Sequence, residues 1–342
     1  MSVLGWDIGG VNTKVAHVTR GAVLAVRSRP YEIQREPAAI VPLLRGLAAG
    51  MGPLEAAPQA VTMTAELSQM FRTKREGVGF VLDAVEAAFP AGFIHVYTVG
   101  GHFLSPVDAR SHPLQVAAAN WDATARAVAM HHPNALLVDV GTTTTDIIPI
   151  TDGRVVAVGR TDPERLASSE LVYTGALRTP AEAIASHVPL GETPAGVSAE
   201  GFALAGDVHV WRGDLDPIDY VCPTPDGRPA TREFAGERLA RLVCADRDML
   251  DEAAVSRIAE ALARAQVRRI QAAIQRVLEP HRSIRVAVVT GLGAFLGVAA
   301  VQGSGLPVVP LSSELGEAGG RCAPAVSVAL LLERALAGPL AS

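Results

Sequence analysis

The sequence predicts an α/β chain built from two duplicated lobes, each ordered βββαβαβα, with an insertion in the second. Three observations carry that expectation. Leu136 to Ile150 is an apolar run that reaches Asp139 and Gly141, passes the four hydroxyls of Thr142, Thr143, Thr144 and Thr145, and resumes as Ile147-Ile-Pro-Ile150, the pattern of a strand, a tight turn and a strand. Ser2 to Val18 has the same grammar around Asp7-Ile-Gly-Gly10. The two stretches align at one offset of 132 residues: Asp7 falls on Asp139, Gly9 on Gly141, Thr13 on Thr145, Thr19 on Thr151, Gly21 on Gly153 and Val23 on Val155. Acid, turn and strand ends coincide, as duplication requires.

Each element then has its own justification. Ser2–Trp6, Thr13–Val18 and Ala22–Ser28 read as three strands, the last two joined at Gly21. Ala38–Ala49 has helical apolar spacing, Ala60–Thr64 is a buried strand, Val78–Phe89 a helix, Phe93–Tyr97 a strand and Pro113–Met130 a closing helix. The order restarts at Ala135. After its third strand, Arg160 to about Asp248 is rich in proline with little clean periodicity, which marks an insertion. Met249–Leu278 then reads as a long amphipathic helix, Ile284–Val289 as a strand, Ala294–Val301 as a helix, Pro307–Val309 as a strand and Ala323–Ala337 as a final helix. The first lobe is expected over 1–132 and the second over 133–322, with the insertion at 160–248 and the last helix, 323–338, packing back on the first lobe.

Composition narrows the function. The 342 residues carry 30 basic and 35 acidic side chains, a formal charge of -5, which removes the electrostatic case for a nucleic-acid or anionic-membrane partner and leaves small molecules. Cys222, Cys244 and Cys322 are too few and too scattered for a disulfide framework or a zinc site, so each is expected to be a buried hydrophobe in a reducing cytoplasm. No leader is visible, and no apolar stretch reaches the roughly 20 residues of a membrane span. A soluble protein is expected; oligomeric state is left open.

The two hairpins carry the chemistry. Asp139, the backbone N–H groups of the turn and four threonine hydroxyls suit phosphate oxygens and their metal ion. Asp7, Gly9, Gly10, Asn12, Thr13 and Lys14 supply a carboxylate, glycines for close backbone approach and a cation. Alone, that octamer also reads as an ordinary turn beside a solvated lysine; the partner hairpin favours phosphate. A third glycine-rich turn, Thr290-Gly-Leu-Gly293, follows a strand.

These stretches, Asp7-Ile-Gly-Gly-Val-Asn-Thr-Lys14, Asp139-Val-Gly-Thr-Thr-Thr-Thr-Asp146 and Thr290-Gly-Leu-Gly-Ala294, resemble the two phosphate motifs and the adenosine-side motif of the sugar kinase, heat-shock chaperone and actin superfamily. The resemblance implies actin-like, ribonuclease H-like lobes. The Gly-Thr-Thr-Thr-Thr-Asp form is similar to hydantoinase and oxoprolinase relatives. More narrowly, Trp6–Lys14, Thr62-Met-Thr-Ala-Glu-Leu67, Asn120-Trp-Asp-Ala-Thr124 and Glu170–Pro180 resemble the methanofuran-biosynthesis synthase family, over most of the chain. That resemblance implies a transferase of tetrahydromethanopterin-linked one-carbon metabolism. It would join an aminomethylfuran, activated as its furfuryl diphosphate, to the phenol oxygen of a tyramine or tyrosine compound and release diphosphate.

On that reading Mg2+, held by Asp7 and Asp139 directly or through water, acts with Lys14 and the Thr142–Thr145 turn on the charge of the leaving group. Asp146 or Glu66 would take the phenol proton. Glu66 also reads as a helix cap or surface acid, and Lys74, a further candidate for the diphosphate, as part of a solvated charge cluster. Tyr173, Arg178 and Thr179 could line an amine or phenol pocket or simply form a packing loop. Gly291 and Gly293 are the candidates for a nucleotide contact. Trp121 reads as core and Asn120 as a helix-packing polar group, and Arg264, Arg268, Arg269 and Arg276 as a solvated helix face. Two other readings remain: an ATP-dependent kinase or oxoprolinase-like hydrolase of the same fold, and a nucleotide-controlled scaffold.

Overall fold

The computed structural model describes residues 1–51 and 57–338. Along the chain run β1 (Ser2–Ile8), β2 (Asn12–Thr19), β3 (Ala22–Pro30), α1 (Ile40–Ala49), β4 (Gln59–Met63), α2 (Lys74–Ala88), β5 (Ile94–Tyr97), β6 (Phe103–Leu104), α3 (Pro106–Ser111), α4 (Pro113–Val116) and α5 (Asn120–Ala129). The second series is β7 (Ala135–Val140), β8 (Thr145–Thr151), β9 (Arg154–Val155), α6 (Asp162–Ser168), β10 (Leu171–Val172), α7 (Ala181–Ile184), β11 (His187–Leu190), β12 (Thr193–Gly196), α8 (Ala205–Arg212) and α9 (Arg232–Arg241). It closes with α10 (Glu252–Leu278), β13 (Val286–Thr290), α11 (Ala294–Val301), β14 (Val308–Pro310), α12 (Ser312–Arg321) and α13 (Ala323–Ala337).

The sheets repeat one order. The first runs β3-β2-β1-β4-β5-β6 and the second β10-β8-β7-β13-β14, with β9 on β8. The offset of 132 survives at backbone level: Gly9 N donates to Asn12 O at 3.0 Å and Gly141 N to Thr144 O at 2.9 Å. The next turns also match, with Arg20 and Gly21 at φ 51° and 73° and Asp152 and Gly153 at 51° and 72°. Two successive positive φ values are what a tight hairpin between right-twisted strands demands.

One compact unit comprises Met1–Leu137, Ile148–Arg165 and Val309–Ser342. Its core packs Leu4, Trp6, Ile8, Val61 and Met63 of the sheet with Leu44 and Leu47 of α1 and Val78, Val81, Leu82 and Val85 of α2. Helix α13 lies on β1, where a Cβ on Gly5 would meet Ala325 O at 2.0 Å; only glycine admits so close an approach. Glu333 of α13 accepts from the N–H groups of Arg20 and Gly21 at 2.5 and 2.7 Å. The other unit comprises Val138–Ile147 and Leu166–Val308. Its helical core joins Val208 and Trp211 of α8, Leu239 of α9 and Val255, Ile258 and Leu262 of α10.

Three expectations need correction. The helix expected over 113–130 is broken: α4 and α5 are separated by Ala117–Ala119, where Ala118 sits at φ 49°. An alanine run carries no breaker signal, so nothing local announces the break. The stretch 160–248 is not irregular; it holds α6 to α9 and the β11–β12 hairpin, whose short lengths hide their periodicity. Of the cysteines, Cys322 is buried but Cys222 is only partly covered and Cys244 is exposed. Among the described residues no single helix is long and apolar enough to cross a membrane.

Candidate functional site

At the end of β1, Asp7 stands in register with Lys14 on β2 and Thr62 on β4. Residues in register on neighbouring strands share a face, so a carboxylate, an ammonium and a hydroxyl lie side by side. Lys14 Nζ is 3.5 Å from Asp7 Oδ2. Asp7 Oδ1 and Thr62 Oγ1 are buried with no hydrogen-bond partner, and so is Thr13 Oγ1. Burial raises the Asp7 carboxyl while Lys14 opposes it. Unpaired acceptors in a dry position are costly and mark where a ligand's donors or a hydrated cation would be accepted.

The Gly9-Gly10 turn closes on Asn12, whose Oδ1 accepts from the Ser28 hydroxyl at 2.8 Å. A Cβ on Gly9 would lie 2.7 Å from Asn12 O, so the turn itself needs that glycine. Gly10 has nothing closer than 3.9 Å. Its small size leaves room above the backbone that packing does not require.

Glu66 lies in a single 3-10 turn, Ala65–Leu67, just after β4. It is 1% exposed and neither carboxylate oxygen has a hydrogen-bond partner. Burial is the largest influence and pushes its carboxyl up to about 7; Lys74 acts against this, and the amides of Glu66 and Ala118 lower it further. Lys74, the first residue of α2, is 3.8 Å from Glu66 and 2.7 Å from Asp162. A Cβ on Gly77 would meet Glu66 O at 2.4 Å, so α2 is pressed onto the backbone of this acid.

The threonine turn is built from different material. Thr142, Thr143 and Thr144 are partly exposed, Thr145 is buried, and its hydroxyl donates to Thr174 O at 2.7 Å. Residues 174–178 clamp this turn from behind: Ala176 N donates to Gly141 O, and Leu177 N and Arg178 N both donate to Thr142 O. A Cβ on Gly175 would sit 2.6 Å from Thr143 N. Behind the clamp, Gln266 of α10 donates to Thr174 Oγ1 at 2.9 Å and to Gly175 O at 2.8 Å, while its Oε1 meets His209 Nε2 at 2.9 Å. Thr179 Oγ1 accepts from Gly175 N at 2.9 Å.

The third glycine turn joins the second hairpin. Gly291, at φ 91°, would place a Cβ 2.5 Å from Asp139 Oδ1 and 2.3 Å from Val140 O, and Gly293 N donates to Val140 O at 2.8 Å. Asp139, Thr142–Thr145, Gly291 and Gly293 are therefore one local group.

Asp146 follows Thr145 in β8, is 8% exposed and stands in register with Leu171 of β10. Tyr173 is 51% exposed and Arg178 is also exposed, on either side of the buried clamp Thr174–Leu177. Trp121 is core, at 3% exposed, with the Arg165 guanidinium 4.5 Å over its ring. Sequence reasoning missed Asp162 and Gln266, and it gave no role to Thr62 or Gly175, although both lie in stretches, Thr62–Leu67 and Glu170–Pro180, that carry the family resemblance.

The repeated strand order and the matched turns at an offset of 132 residues define a duplicated, two-lobed α/β class. Residues 58–335 match the model of the Hydantoinase/oxoprolinase family, and the chain belongs to that family. Within it the chain falls among the methanofuran-biosynthesis synthases. It is 32% identical over 335 residues to the (4-{4-[2-(gamma-L-glutamylamino)ethyl]phenoxymethyl}furan-2-yl)methanamine synthase of Methanocaldococcus jannaschii, with 98% of each chain covered. The synthase of the same name from Methanococcus vannielii is 32% identical over 207 residues, 59% of this chain and 92% of that one. Among solved structures, nucleotide-free acetone carboxylase matches 95% of this chain and 70% of its own at TM-score 0.57 and 14% identity, a likeness of fold alone. The protein is thus an enzyme, a biosynthetic synthase of the transferase kind.

Proposed function

We propose that this enzyme forms an aryl ether between a furan-methyl group, activated as its diphosphate, and the phenol oxygen of a tyramine or tyrosine compound, in methanofuran-type cofactor biosynthesis. The observation that carries the proposal is the end-to-end relationship to a synthase whose named product contains a phenoxymethyl-furan linkage. In the step, the C–O bond to diphosphate breaks and the phenol oxygen bonds to the same methylene carbon. Diphosphate leaves with the electron pair, and the phenol proton goes to Glu66. An electron-rich furan stabilises positive charge on that carbon, so what the protein has to offset is the charge developing on the departing diphosphate.

Each hairpin is assigned phosphate oxygens separately. Lys14 and the open backbone at Gly10 serve at the first, and the threonine N–H and hydroxyl groups at the second. Of the two candidate bases, Glu66 is preferred over Asp146, because a carboxyl raised to about 7 is matched to proton transfer near neutral pH. Among the described residues no cluster of three His, Cys, Asp or Glu side chains could hold a metal. Mg2+ commonly uses one or two carboxylates plus water and phosphate, and the unpartnered Asp7 Oδ1 fits that mode. Asp7 in one unit and Asp139 in the other are each, separately, a candidate to hold it, and bound at either hairpin it would supply charge neutralisation for the leaving group.

The test is mass spectrometry of products after incubation with furfuryl diphosphate and a series of phenolic amines, with ATP in a parallel reaction. Ether and diphosphate formed without ATP are expected. The second reading, an ATP-dependent kinase or oxoprolinase-like hydrolase, draws on the packing of Gly291 against Asp139; tight ATP binding with substrate-stimulated ADP release would replace the first reading by the second.

A further inference from the structure

Glu66, Lys74 and Asp162 come from three places in the sequence and form one charge group in the first unit, with Glu66 buried and Lys74 and Asp162 partly exposed. Lys74 Nζ lies 2.7 Å from Asp162 Oδ2, a hydrogen bond, and 3.8 Å from Glu66 Oε1, beyond one. Asp162 is held in turn by Arg165 Nη2 at 3.9 Å, and Arg165 is itself fixed over the Trp121 ring at 4.5 Å. Facing Glu66 are therefore one cation from α2, one anion from the start of α6 and, beyond that anion, the cation of Arg165; the segment before α5 contributes only the Ala118 amide.

We infer that Asp162 is a positioning residue, which holds Lys74 off Glu66 so that Glu66 works as the base for the phenol proton. The inference rests on the base role given to Glu66 above. A lysine free to settle on Glu66 would find two unpartnered acceptors and form a buried ion pair. Such a pair favours the carboxylate by roughly 1–3 pK units and makes it a weak base. Asp162 prevents this in two ways: it takes the hydrogen bond of the ammonium, and its own negative charge disfavours ionisation of Glu66. Arg165 and Trp121 keep the anchor in place. The start of α6 thereby acquires a role in the reaction that its distance from both hairpins in the sequence conceals.

The test compares the pH dependence of kcat for ether formation in the wild type, Asp162→Asn, Lys74→Met and Glu66→Gln. Asp162→Asn should move the acid limb down by about 1 unit, Lys74→Met should move it up, and Asp162→Glu should return it to the wild-type position. Glu66→Gln should remove the limb and most of the rate. A uniform loss in Asp162→Asn at every pH, with the limb unmoved, overturns the inference and leaves the base role intact. If Asp162→Asn does not fold, Asp162→Ser takes its place, and a limb left unmoved in that variant overturns the inference. A carboxyl-carbon NMR titration of Glu66, identified by difference from Glu66→Gln, reads the same shifts without turnover. An enzyme that forms no ether would then end the synthase reading, while the NMR shifts still decide the part played by Asp162.

Discussion

The two hairpins share a backbone and almost none of their surroundings. Gly9 and Gly141 close the same turn hydrogen bond, and the strands after them begin at Asn12 and Thr145. The first hairpin is charged and partly unsatisfied, with Lys14 beside Asp7 and buried acceptors on Asp7, Thr13 and Thr62. The second is lined by neutral hydroxyls and held from behind by residues 174–178 and Gln266. Duplication preserved the turn and left the chemistry to diverge. Both copies keep an acid, Asp7 or Asp139; the first adds the charge of Lys14, whose effect depends on burial and pH, and the second adds hydroxyl dipoles, whose effect depends on geometry.

The largest expected effect tests the second copy at its acid. Asp139→Ala should lower ether formation by at least about 100-fold, the scale of losing a directly acting electrostatic group, while circular dichroism and Tm show a folded chain. Normal turnover in a folded Asp139→Ala protein would remove the second hairpin from the mechanism.

The first copy's dependence on burial can be read through Glu66, the acid beside it. Its carboxyl is raised from 4.5 to about 7, so the native state binds the proton more tightly than the unfolded chain does. The resulting stability is fully present below pH 4.5 and is lost as pH rises through 7. Glu66→Gln, a neutral isostere, should therefore match the wild type near pH 4 and exceed it at pH 8 by on the order of 3 kcal/mol. Urea titrations at the two pH values check this. A smaller gain at pH 8 than at pH 4 would reverse the sign of the argument.

Lys14→Ala separates charge from shape at the first hairpin. Diphosphate affinity should fall by about tenfold, the low end for a charge-assisted hydrogen bond, as measured by calorimetry. Unchanged affinity would take Lys14 out of the phosphate group and leave its ion pair with Asp7.

The turns were legible in the sequence because their signals are local: an acid, a glycine and hydroxyls at fixed spacing. The supports were not. Gln266 reaches Thr174 and Gly175 across 92 and 91 residues, and Lys74 reaches Asp162 across 88; neither contact leaves a period or a motif. Gln266 also sits on a helix whose arginines drew attention to its exposed face. The break at Ala118 escaped for another reason, since three alanines favour a helix that tertiary pairing of Ala117 with Met63 overrides.

The smallest expected effect is the sharpest test of the duplication itself. Gly21 and Gly153 occupy matched turns at φ 73° and 72°, and a Cβ on either would meet nothing within 4 Å. Substitution by alanine then costs only the left-handed backbone strain of an L-residue, about 1 kcal/mol. Gly21→Ala and Gly153→Ala should lower Tm by similar small amounts and leave kcat unchanged. The preceding residues are also matched, Arg20 and Asp152 both at φ 51°, so the same strain is already present once in each turn. Both N–H groups of each turn are bound, but by different anchors: Glu333 of α13 takes those of Arg20 and Gly21, whereas Asn134 Oδ1 takes that of Asp152 at 3.1 Å and Pro133 O that of Gly153 at 2.9 Å. A clearly larger cost at Gly21 would mean that the α13 anchor, and not the hairpin common to both copies, sets the stability of the first turn.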